Sequence, residues 1–438
     1  MKIDAPRGTL DVLPADEPGR RAVLAATEDV ADVYAYGRIV TPTFEHTELF
    51  ARTSGAGSDV VQKEMYTFED RSGRSLTLRP EGTAPVARAY VEHGLHREPQ
   101  PVKTFYVGPM YRYSRPAKGR YREFWQIGFE AMGSDDPALD AELIQLFTEI
   151  ERRAVVGHTR LELNSIGDRD CRPAYVERLQ AFLAEWRDDL DDETRTRADV
   201  SPLRVFDTTS EDMQRLLARA PTIADSLCAA CREHFAAVRS YLDSYDVEYM
   251  LVPTLVRGLD YYTRTVFEFV NEGLGAAQAS ICAGGRYDYL IEEIGGAPTP
   301  GVGWAAGVER VSMSSGRERE ERGLDVFVVC DEQADRPRVL AQVAELRRAG
   351  LRCDVDYAGR SLKGQMTQAG RSRAGQVVRV IGERASIRAG GADLVEDFPA
   401  TEIASTVLGH PSPPPASEPN AEKRARGAQD VAEEEHSP

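Results

Sequence analysis

The segment that decides the fold spans residues 103–132 and reads KTFYVGPMYRYSRPAKGRYREFWQIGFEAM. Two runs rich in aromatic and β-branched residues, 104–107 and 124–130, predict the paired strands of a hairpin, and residues 113–121 form its loop. A second hairpin is predicted over residues 65–78, around an Asp-Arg-Ser-Gly turn. Hairpins that are mixed with helices favour an α+β fold with an antiparallel sheet over a doubly wound parallel sheet.

The elements around these hairpins indicate a large first domain with an insertion. Helical spacing over residues 20–36 is followed by a predicted strand at 39–41, and Pro42 places that strand at a sheet edge or at a bend. Residues from about 168 to 246 are helical and highly charged, with no strong strand pattern. We interpret this segment as a helical insertion.

The C-terminal part of the chain has a separate character. A charged linker bounded by glycine is predicted at 314–323, and strands are predicted at 325–330 and 376–381 with helices between them. From residue 409 on, proline, serine, alanine and charged residues leave nothing to pack, which predicts a disordered tail over 409–438. A chain of 438 residues is also long enough for two or three domains.

The composition narrows the class of protein. No apolar window of about 18 uncharged residues occurs and the first residues are polar, so neither a membrane span nor a secretory signal is predicted, and a cytoplasmic location is expected. Acidic residues number 71 against 54 lysines and arginines, which gives a net charge of −17. This surplus, together with a near absence of lysine, favours a halophilic archaeal source over a merely acidic protein. It does not exclude a nucleic-acid partner, because counterion release contributes little in concentrated salt.

The six cysteines are too few for a disulfide scaffold in so long a chain. Cys228 and Cys231 form a CxxC pair with His234 beyond it, but zinc normally takes four ligands and no second close pair follows. Helical spacing over residues 223–242 places these side chains on neighbouring turns. Buried structural thiols are therefore favoured over a metal site, and no structural metal is expected.

A nucleotide site in this chain cannot be of the P-loop type. The chain has no GxxxxGK[ST] motif, since residues 55–58 (GAGS) lack the lysine, and no GxGxxG follows a strand. Arginines are the alternative phosphate ligands, because a guanidinium binds phosphate oxygens bidentately. Most arginines of a chain are simply solvated, but Arg112 and Arg310 each lie among apolar residues, where an unpaired charge would be costly to bury.

Three segments, in order, resemble the motifs of the class II aminoacyl-tRNA synthetases. The helix, strand and Pro42 resemble motif 1, which builds the dimer interface in this class. Residues 110–112 (MYR) and 120–124 (RYREF) resemble motif 2, and residues 301–310 (GVGWAAGVER) resemble motif 3. Each glycine or tyrosine in them could be structural when taken alone, but the ordered set is specific.

Two further segments narrow the resemblance to the histidyl-tRNA synthetase family. Residues 255–262 (LVRGLDYY) and 282–288 (CAGGRYD) are similar to its two histidine-specific motifs, and residues 7–9 (RGT) and 79–83 (RPEGT) also match. The resemblance covers residues from about 6 to 408.

This resemblance implies an organisation and a set of partners. A class II catalytic domain would occupy residues 1–323, with the insertion at about 168–246, and an anticodon-binding α/β domain would occupy 324–408. The implied partners are L-histidine, ATP, a histidine-specific tRNA and a second copy of the chain in a homodimer. The motif 2 loop carries Ala117 where bacterial members commonly have glutamine, so no residue is assigned to the acceptor end of the tRNA.

The resemblance also implies a histidine site. Its residues are Glu81, Thr83, Gln126, Glu130, Tyr261 and Tyr262. The first three resemble the groups that bind the α-amino group, and a carboxylate with two neutral oxygens suits an ammonium. Glu130 and Tyr262 resemble the groups that recognise the imidazole, which offers one donor and one acceptor when it is neutral.

The implied ATP site is built mainly from arginines. Arg257 resembles the catalytic arginine near the α-phosphate, Arg112 would bind that phosphate from the opposite side, and Arg120 would bind the outer phosphates. Arg310 and Phe124 would hold the adenine from two sides. Mg²⁺ would accompany ATP and shield its oxygens.

The function that these residues imply is activation of L-histidine with ATP, followed by transfer of histidine to the 3′ end of its tRNA. Three alternatives compete with it: the regulatory paralogue of this family, which partners a phosphoribosyltransferase, a synthetase-like RNA-binding or sensor module, and a related threonyl or prolyl synthetase. The presence of Arg112, Arg257 and Arg310 disfavours the first two. The pair of histidine-specific motifs disfavours the third.

Overall fold

The computed structural model describes residues 3–53, 63–157, 159–208, 210–275, 279–315, 323–389 and 397–409. The chain divides into two compact units, Met1–Glu320 and Glu321–Pro438. The glycine-rich segment 55–58, most of the predicted linker at 314–323 and the predicted tail after residue 409 lie outside the described residues.

The first unit mixes strands and helices along the chain. Its strands are β1 (Gly37–Arg38), β2 (Phe44–His46), β3 (Tyr66–Glu69), β4 (Ser75–Leu78), β5 (Val102–Tyr111), β6 (Glu123–Met132), β7 (Thr159–Ser165), β8 (Met250–Leu251), β9 (Thr263–Asn271), β10 (Ser280–Arg286) and β11 (Gly301–Gly307). Its helices are α1 (Glu17–Val33), α2 (Thr47–Thr53), α3 (Thr83–Glu92), α4 (Pro137–Ala154), α5 (Arg172–Glu185), α6 (Asp192–Val200), α7 (Glu211–Leu217), α8 (Ala229–Ser244), α9 (Leu290–Glu293) and α10 (Val308–Ser314).

Eight of the described strands form one sheet, in the order β1-β5-β6-β11-β10-β9-β7-β8. Neighbouring strands are antiparallel except at the two ends, where β1 pairs with β5 and β8 with β7 in parallel. The hairpin predicted at 103–132 is present as β5 and β6, and that predicted at 65–78 is present as β3 and β4 in a separate small sheet. The predicted α+β fold is confirmed.

Alternation along β6 gives the large sheet two different faces. Ile127 and Phe129 point into the main core, where Phe129 stacks on Trp304 of β11 with ring centroids 4.9 Å apart. Helices α1, α4, α8 and α10 cover this apolar face. Gln126 and Glu130 occupy the alternate positions, so they belong to the opposite face.

The edge strand predicted at 39–41 is shorter and lies earlier than expected. Its place at the edge is confirmed, but β1 ends at Arg38, and only the N–H of Ile39 continues the pairing, with a 2.8 Å bond to the carbonyl of Phe105. Beyond it, the guanidinium of Arg79 donates to the carbonyl of Thr41 at 3.0 Å. The Arg79 side chain therefore takes a backbone carbonyl that a longer β1 would have used for strand pairing.

The segment expected to be helical, 168–246, contains α5 to α8 and short 3-10 turns between them. These helices enclose a core of their own, whose buried residues include Tyr175, Leu179, Leu217 and Cys231. No helix in the described ranges is long and apolar enough to cross a membrane.

The second unit is a small α/β arrangement. Its strands are β12 (Val326–Cys330), β13 (Cys353–Val355), β14 (Gln376–Ile381), β15 (Arg384–Ala389) and β16 (Asp397–Pro399), and its helices are α11 (Arg336–Arg348), α12 (Leu362–Arg371) and α13 (Ile403–Gly409). The sheet order is β13-β12-β14-β15-β16, with the first three strands parallel. The predicted strands β12 and β14 are present, whereas the short strands β13, β15 and β16 had no clear sequence pattern.

Candidate active site

An open cleft lies on the face of the large sheet that carries Gln126. The predicted site residues that line it are Glu81, Thr83, Arg112, Arg120, Phe124, Gln126, Arg257, Tyr261, Tyr262 and Arg310. They come from the start of α3, the β5–β6 hairpin, the segment before β9, and α10. Glu130, the remaining predicted residue, is fully buried and does not line the cleft.

Two guanidinium groups in the cleft are held by backbone carbonyls. Arg112 donates from Nε to the carbonyl of Pro80 at 2.8 Å. Arg310 donates from Nε to the carbonyl of Gly119 at 3.0 Å and from Nη1 to that of Ser280 at 2.7 Å. Within the described part of the chain, neither arginine forms an ion pair with a carboxylate. Their charges therefore remain for a ligand to neutralise.

Like charges crowd this end of the cleft. Burial lowers the pKa of Arg310, and the nearby guanidiniums of Arg112 and Arg120 lower it further. The positive charge of Arg120 is partly neutralised by Glu64, whose Oε1 lies 3.1 Å from Arg120 Nη2. Because a guanidinium stays protonated in proteins, this end of the cleft keeps a surplus of positive charge.

Arg257 is held differently from the other arginines. It reaches the cleft from the segment before β9, and its Nη1 lies 2.8 Å from Oε2 of Glu268 on that strand. Burial alone would lower the pKa of Arg257, but the carboxylate of Glu268 raises it. The ion pair therefore keeps a charged guanidinium fixed at the wall of the cleft.

Oxygen acceptors line the cleft near these arginines. The carboxylate of Glu81 accepts from the backbone N–H groups of Thr83 and Ala84, at 2.6 and 3.0 Å, and so caps the start of α3. Burial raises the pKa of Glu81, while these bonds and Arg112 oppose the rise. Gln126 Oε1 is buried and has no hydrogen-bond partner among the described residues. A donor from a ligand would satisfy it.

Glu130 lies behind Thr83. It accepts hydrogen bonds from Thr83 Oγ1 at 2.7 Å and from the hydroxyl of Tyr287 at 2.5 Å. Burial raises the pKa of Glu130 to about 8, and the two hydrogen bonds oppose this only in part. The carboxyl group is therefore largely protonated at neutral pH, and it acts on the cleft through Thr83.

Tyr261 and Tyr262 form an aromatic wall of the cleft. Their ring centroids are 4.7 Å apart, and Tyr261 also packs edge-on against Tyr287 at 5.9 Å. Burial raises the pKa of both cleft phenols, so their hydroxyls keep the proton and can donate hydrogen bonds.

Some cleft residues were not found from the sequence. Glu64, Ser114, Tyr121 and Glu309 line the cavity as well. Both carboxylate oxygens of Glu309 accept from the backbone N–H of Trp125 at 3.1 Å. The position of Glu309 beside Arg310 in the motif 3 segment was the signal that could have identified it.

Close packing explains three glycines, namely Gly284 and Gly285 in the histidine-specific segment 282–288 and Gly303 in the segment that resembles motif 3. Gly284 and Gly285 lie opposite Trp304 and Gly303 across β10 and β11. A Cβ atom at Gly284 would lie 2.8 Å from the ring of Phe267, and one at Gly303 would overlap the carboxyl group of Glu130. The structural interpretation of these glycines is therefore correct, and Gly303 also leaves room for a site residue.

The fold and the cleft together define a class II aminoacyl-tRNA synthetase: a largely antiparallel sheet, flanked by helices, whose open face gathers arginines beside a tyrosine pocket. A family model described as histidyl-tRNA synthetase matches residues 8–311. The chain is 46% identical over 406 residues to a histidine–tRNA ligase of Desulforamulus reducens, which covers 92% of this chain and 96% of the relative. The match to the ligase of Moorella thermoacetica is 47% identical over 414 residues, covering 92% and 97%.

Solved structures give the same result. The chain matches the apo histidyl-tRNA synthetase of S. aureus with a TM-score of 0.75 and 34% sequence identity, covering 92% of this chain and 99% of that one. The chain belongs to the histidyl-tRNA synthetase family. These relatives are bacterial, so the archaeal source expected from the composition is not supported.

Proposed function

We propose that this protein is a histidine–tRNA ligase, which forms histidyl-adenylate and pyrophosphate from L-histidine and ATP and then transfers histidine to its tRNA. One observation carries the proposal. The guanidiniums of Arg112 and Arg310, which the protein leaves without carboxylate partners in its described part, share a cleft with the unsatisfied acceptor of Gln126. A nucleoside triphosphate would supply negative charge for Arg112 and an aromatic base for Arg310, and the ammonium group of an amino acid would supply the missing donor.

The histidine substrate would lie at the acceptor-lined end of the cleft. Glu81, Thr83 and Gln126 would bind its ammonium group, because each offers an oxygen acceptor there. Tyr262, packed on Tyr261, would donate to one imidazole nitrogen. The other nitrogen, as an N–H, would donate to the hydroxyl oxygen of Thr83, whose own proton is held by Glu130 behind it, so that Glu130 would act on the ring through Thr83.

ATP would lie along the arginines. Arg112 and Arg257 would bind the α-phosphate, Arg120 the outer phosphates, and Phe124 and Arg310 the two faces of the adenine. An oxygen of the histidine carboxylate attacks the α-phosphorus, the bond to the bridging oxygen breaks, and pyrophosphate leaves with the electron pair. No general base is needed, since the carboxylate is already ionised, and the fixed guanidiniums stabilise the charge that develops on the phosphate oxygens.

Magnesium would enter with ATP. The cleft fits it, because Glu64 and Glu309 line the cavity with the carboxylate oxygens that Mg²⁺ prefers. The ion supplies charge neutralisation for the triphosphate and for the leaving pyrophosphate. Arg112 and Arg257 would orient the α-phosphate.

The larger assembly follows from the family motifs. Exposed apolar side chains occur along the motif 1 segment and just after it, where Val33, Val40 and Phe44 are 63%, 79% and 50% exposed. This supports a homodimer formed through that segment, which sedimentation equilibrium of the full chain would test. The second unit, within residues 324–408, would bind the anticodon of the tRNA, and tRNA charging would take place in the cytoplasm.

The test is histidine-dependent exchange of pyrophosphate into ATP, with Arg257→Ala measured beside the wild type. We expect exchange with histidine and with no other amino acid. We expect the variant to lose roughly 100-fold or more in kcat, because a fixed charge aimed at the transition state contributes about 3 kcal/mol or more. Arg187→Ala is the matched control, since Arg187 also forms an arginine–carboxylate pair, with Asp199, but lies outside the cleft.

Two results would overturn the proposal. Exchange with a different amino acid would assign another class II specificity. A folded wild-type protein without exchange, across a range of salt concentrations, would favour the regulatory paralogue. The common location of Arg112, Arg257 and Arg310 in one cleft disfavours that alternative.

A further inference from the structure

Four side chains from two distant parts of the first unit meet at the base of the helical insertion. Asp168 and Cys171 lie in the turn between β7 and α5, and Cys228 and Cys231 lie at the start of α8. One carboxylate oxygen and three sulfur atoms all lie within 4.8 Å of one another. Cys171 and Cys231 are 60 residues apart in the chain, so folding is required to bring the cluster together.

Two of the spacings match those of a tetrahedral zinc site, and the others are within 4.8 Å. Cys171 Sγ lies 3.8 Å from Cys231 Sγ and 3.4 Å from Asp168 Oδ1. In a tetrahedron with zinc–sulfur bonds of about 2.3 Å and a zinc–oxygen bond of about 2.0 Å, two sulfurs lie about 3.8 Å apart and a sulfur and an oxygen about 3.5 Å apart. A disulfide would instead need sulfurs about 2.05 Å apart, and all six cysteines are free.

Backbone N–H groups already orient the ligand atoms. The N–H of Cys231 donates to Cys228 Sγ at 3.4 Å, and the N–H of Asp168 donates to Cys171 Sγ at 3.5 Å. Asp168 Oδ1 in turn accepts from the N–H groups of Asp170 and Cys171, at 3.1 and 3.4 Å. Hydrogen bonds of this kind fix the direction of metal ligands.

Two arginines can balance the charge of such a site. Three thiolates and one carboxylate carry four negative charges, of which Zn²⁺ cancels two. Arg264 Nε lies 3.8 Å from Asp168 Oδ2, and the guanidinium of Arg172 interacts electrostatically with both Cys171 and Asp168. These arginines offset part of the two remaining negative charges, and Arg264 is shared with Asp288, whose Oδ2 lies 3.7 Å from its Nε.

Reduced thiols can also pack as small apolar groups without any metal. A buried carboxylate distinguishes this cluster from a purely apolar one, since Asp168 is only 3% exposed. Its Oδ1 lies 3.4 Å from Cys171 Sγ, as two ligand atoms of one ion would. Cys228 is partly exposed, so an ion has a path to the cluster.

We infer that Asp168, Cys171, Cys228 and Cys231 bind one Zn²⁺ ion in a structural site. The ion clamps the turn after β7 to the first turn of α8 and thereby fixes the base of the insertion. The same turn leads into Arg172, whose Nη2 donates to the carbonyl of Tyr262 at 2.5 Å. The clamp therefore also supports a wall of the cleft, although the metal site itself does not depend on the proposed activity.

This inference replaces the expectation that the chain binds no structural metal. His234, the third ligand considered from the sequence, points elsewhere, with its Nε2 3.2 Å from Asp140 Oδ1. The second ligand pair, Asp168 and Cys171, precedes Cys228 in the chain, whereas the sequence analysis considered only a pair that follows Cys231.

The experiment measures metal bound to the full-length chain. Protein expressed with added zinc, and purified with a thiol reductant but no chelator, is assayed by inductively coupled plasma mass spectrometry. Protein expressed in cobalt-supplemented minimal medium is examined for a thiolate-to-cobalt charge-transfer band. The variants are Cys171→Ala and Cys228→Ala, and the controls are Cys330→Ala and Cys353→Ala, which remove buried thiols of the second unit.

We expect about one zinc per chain and the cobalt band in the wild type and in both controls. Bound zinc should fall roughly tenfold or more in both variants, because loss of one ligand breaks a four-coordinate site. Should Cys171→Ala fail to fold, Cys228→Ala still decides the question, since its side chain is partly exposed. Metal-free wild-type protein with reduced thiols, a Cys171–Cys231 disulfide, or zinc retained in both variants would each overturn the inference.

Discussion

Arg112 and Arg310 owe their positions to backbone carbonyls rather than to carboxylates. A carbonyl oxygen fixes the direction of a guanidinium without cancelling its charge, so nearly the whole charge remains available to a ligand. Arg120 has the opposite arrangement, since it pairs with Glu64 while its side chain is 47% exposed. An exposed pair is weak and can open when a phosphate group arrives.

Burial changes the protonation of Glu130 near neutral pH. Burial raises its pKa from 4.5 to about 8, so the folded protein keeps a proton that the unfolded chain loses. This contribution to stability is complete below pH 4.5 and is lost as the pH rises toward 8. In Glu130→Gln the contribution is absent. Between pH 4.5 and pH 8, we expect the free energy of unfolding of the variant to increase relative to that of the wild type by up to about 1.4 kcal/mol per pH unit, as measured by urea unfolding.

The control for this prediction is Glu151→Gln. Burial also raises the pKa of Glu151 to about 8, but that residue does not line the cleft. Both variants should show the same pH signature in urea, while only Glu130→Gln should raise the KM for histidine. A wild-type-to-variant difference that stays constant with pH would mean that Glu130 is already ionised in the free protein.

Much of the lining of the cleft could be predicted from the sequence, because short motifs name the residues that come together there. Ten assigned positions, among them Arg257 and Gln126, line a single cleft. The motifs do not reveal how those atoms are partnered. The burial of Glu130 behind Thr83 depends on Gly303 and Tyr287, which come from other parts of the chain.

The pairing of β11 with β6 gives Gly303 a specific role. Gly303 lies opposite Glu130 in the sheet, and a Cβ atom there would overlap the Glu130 carboxyl group and approach the Phe129 carbonyl at 2.7 Å. We expect Gly303→Ala to lower the free energy of unfolding by about 1–3 kcal/mol, as overpacking does, and to raise the KM for histidine by displacing Glu130. Urea unfolding and pyrophosphate exchange measure the two effects.

Gly157→Ala provides the comparison for that variant. A Cβ atom at Gly157 would have no neighbour within 4 Å, so neither stability nor the histidine KM should change appreciably. If Gly303→Ala behaved like Gly157→Ala, the sheet would be able to open at this position, and the proposed fixed placement of Glu130 would be wrong.

A buried charge network joins three elements behind the cleft. Arg286 of β10, which is fully buried, forms an ion pair with Asp140 of α4, and His234 of α8 lies 3.2 Å from the same carboxylate. Burial would raise the pKa of Asp140, but Arg286 and His234 together lower it to about 2. The ionised carboxylate therefore stabilises the fold fully at pH values above 3.8, the usual pKa of an aspartate. This stabilisation is lost as the pH falls toward 2.

Asp140→Asn tests this network. At neutral pH we expect the free energy of unfolding to fall by about 3–5 kcal/mol, because Arg286 loses its main buried carboxylate and keeps Asp288 together with the carbonyls of Ser134 and Asp136. The gap to the wild type should narrow between about pH 4 and pH 2, where the wild-type carboxylate becomes protonated. Asp199→Asn, which breaks an exposed pair with Arg187, is the control and should change little. Equal losses in the two variants would contradict a buried network.

The strands and helices differ in how far the sequence could predict them. The β5–β6 hairpin was predictable because alternating aromatic residues and a polar loop are local signals. The true extent of β1 could not be predicted, because the side chain of Arg79 donates a hydrogen bond to the Thr41 carbonyl. Arg79 lies 41 residues after Arg38, where β1 ends. The meeting of Cys171 with Cys231 was missed for the same reason, since it depends on folding between distant segments.

The charge of the whole molecule contrasts with that of its cleft. The chain carries a net charge of −17, whereas the cleft gathers Arg112, Arg120, Arg257 and Arg310. An anionic tRNA would therefore meet a repulsive surface except near these local positive sites. Salt weakens that long-range repulsion much more than it weakens short-range contacts inside the cleft.

Salt should stabilise this protein for the same reason. Mutual repulsion among the surplus carboxylates opposes folding, and raising KCl from about 0.1 M to about 1 M shortens the screening length from about 10 Å to about 3 Å. Exposed pairs such as Arg187–Asp199 weaken in salt, but each contributes little, so we expect the relief of repulsion to dominate and the Tm to rise by several degrees. Choline chloride at equal ionic strength should give a similar rise, because the effect is screening. A Tm that stays level or falls in both salts would show that local ion pairs outweigh the net charge.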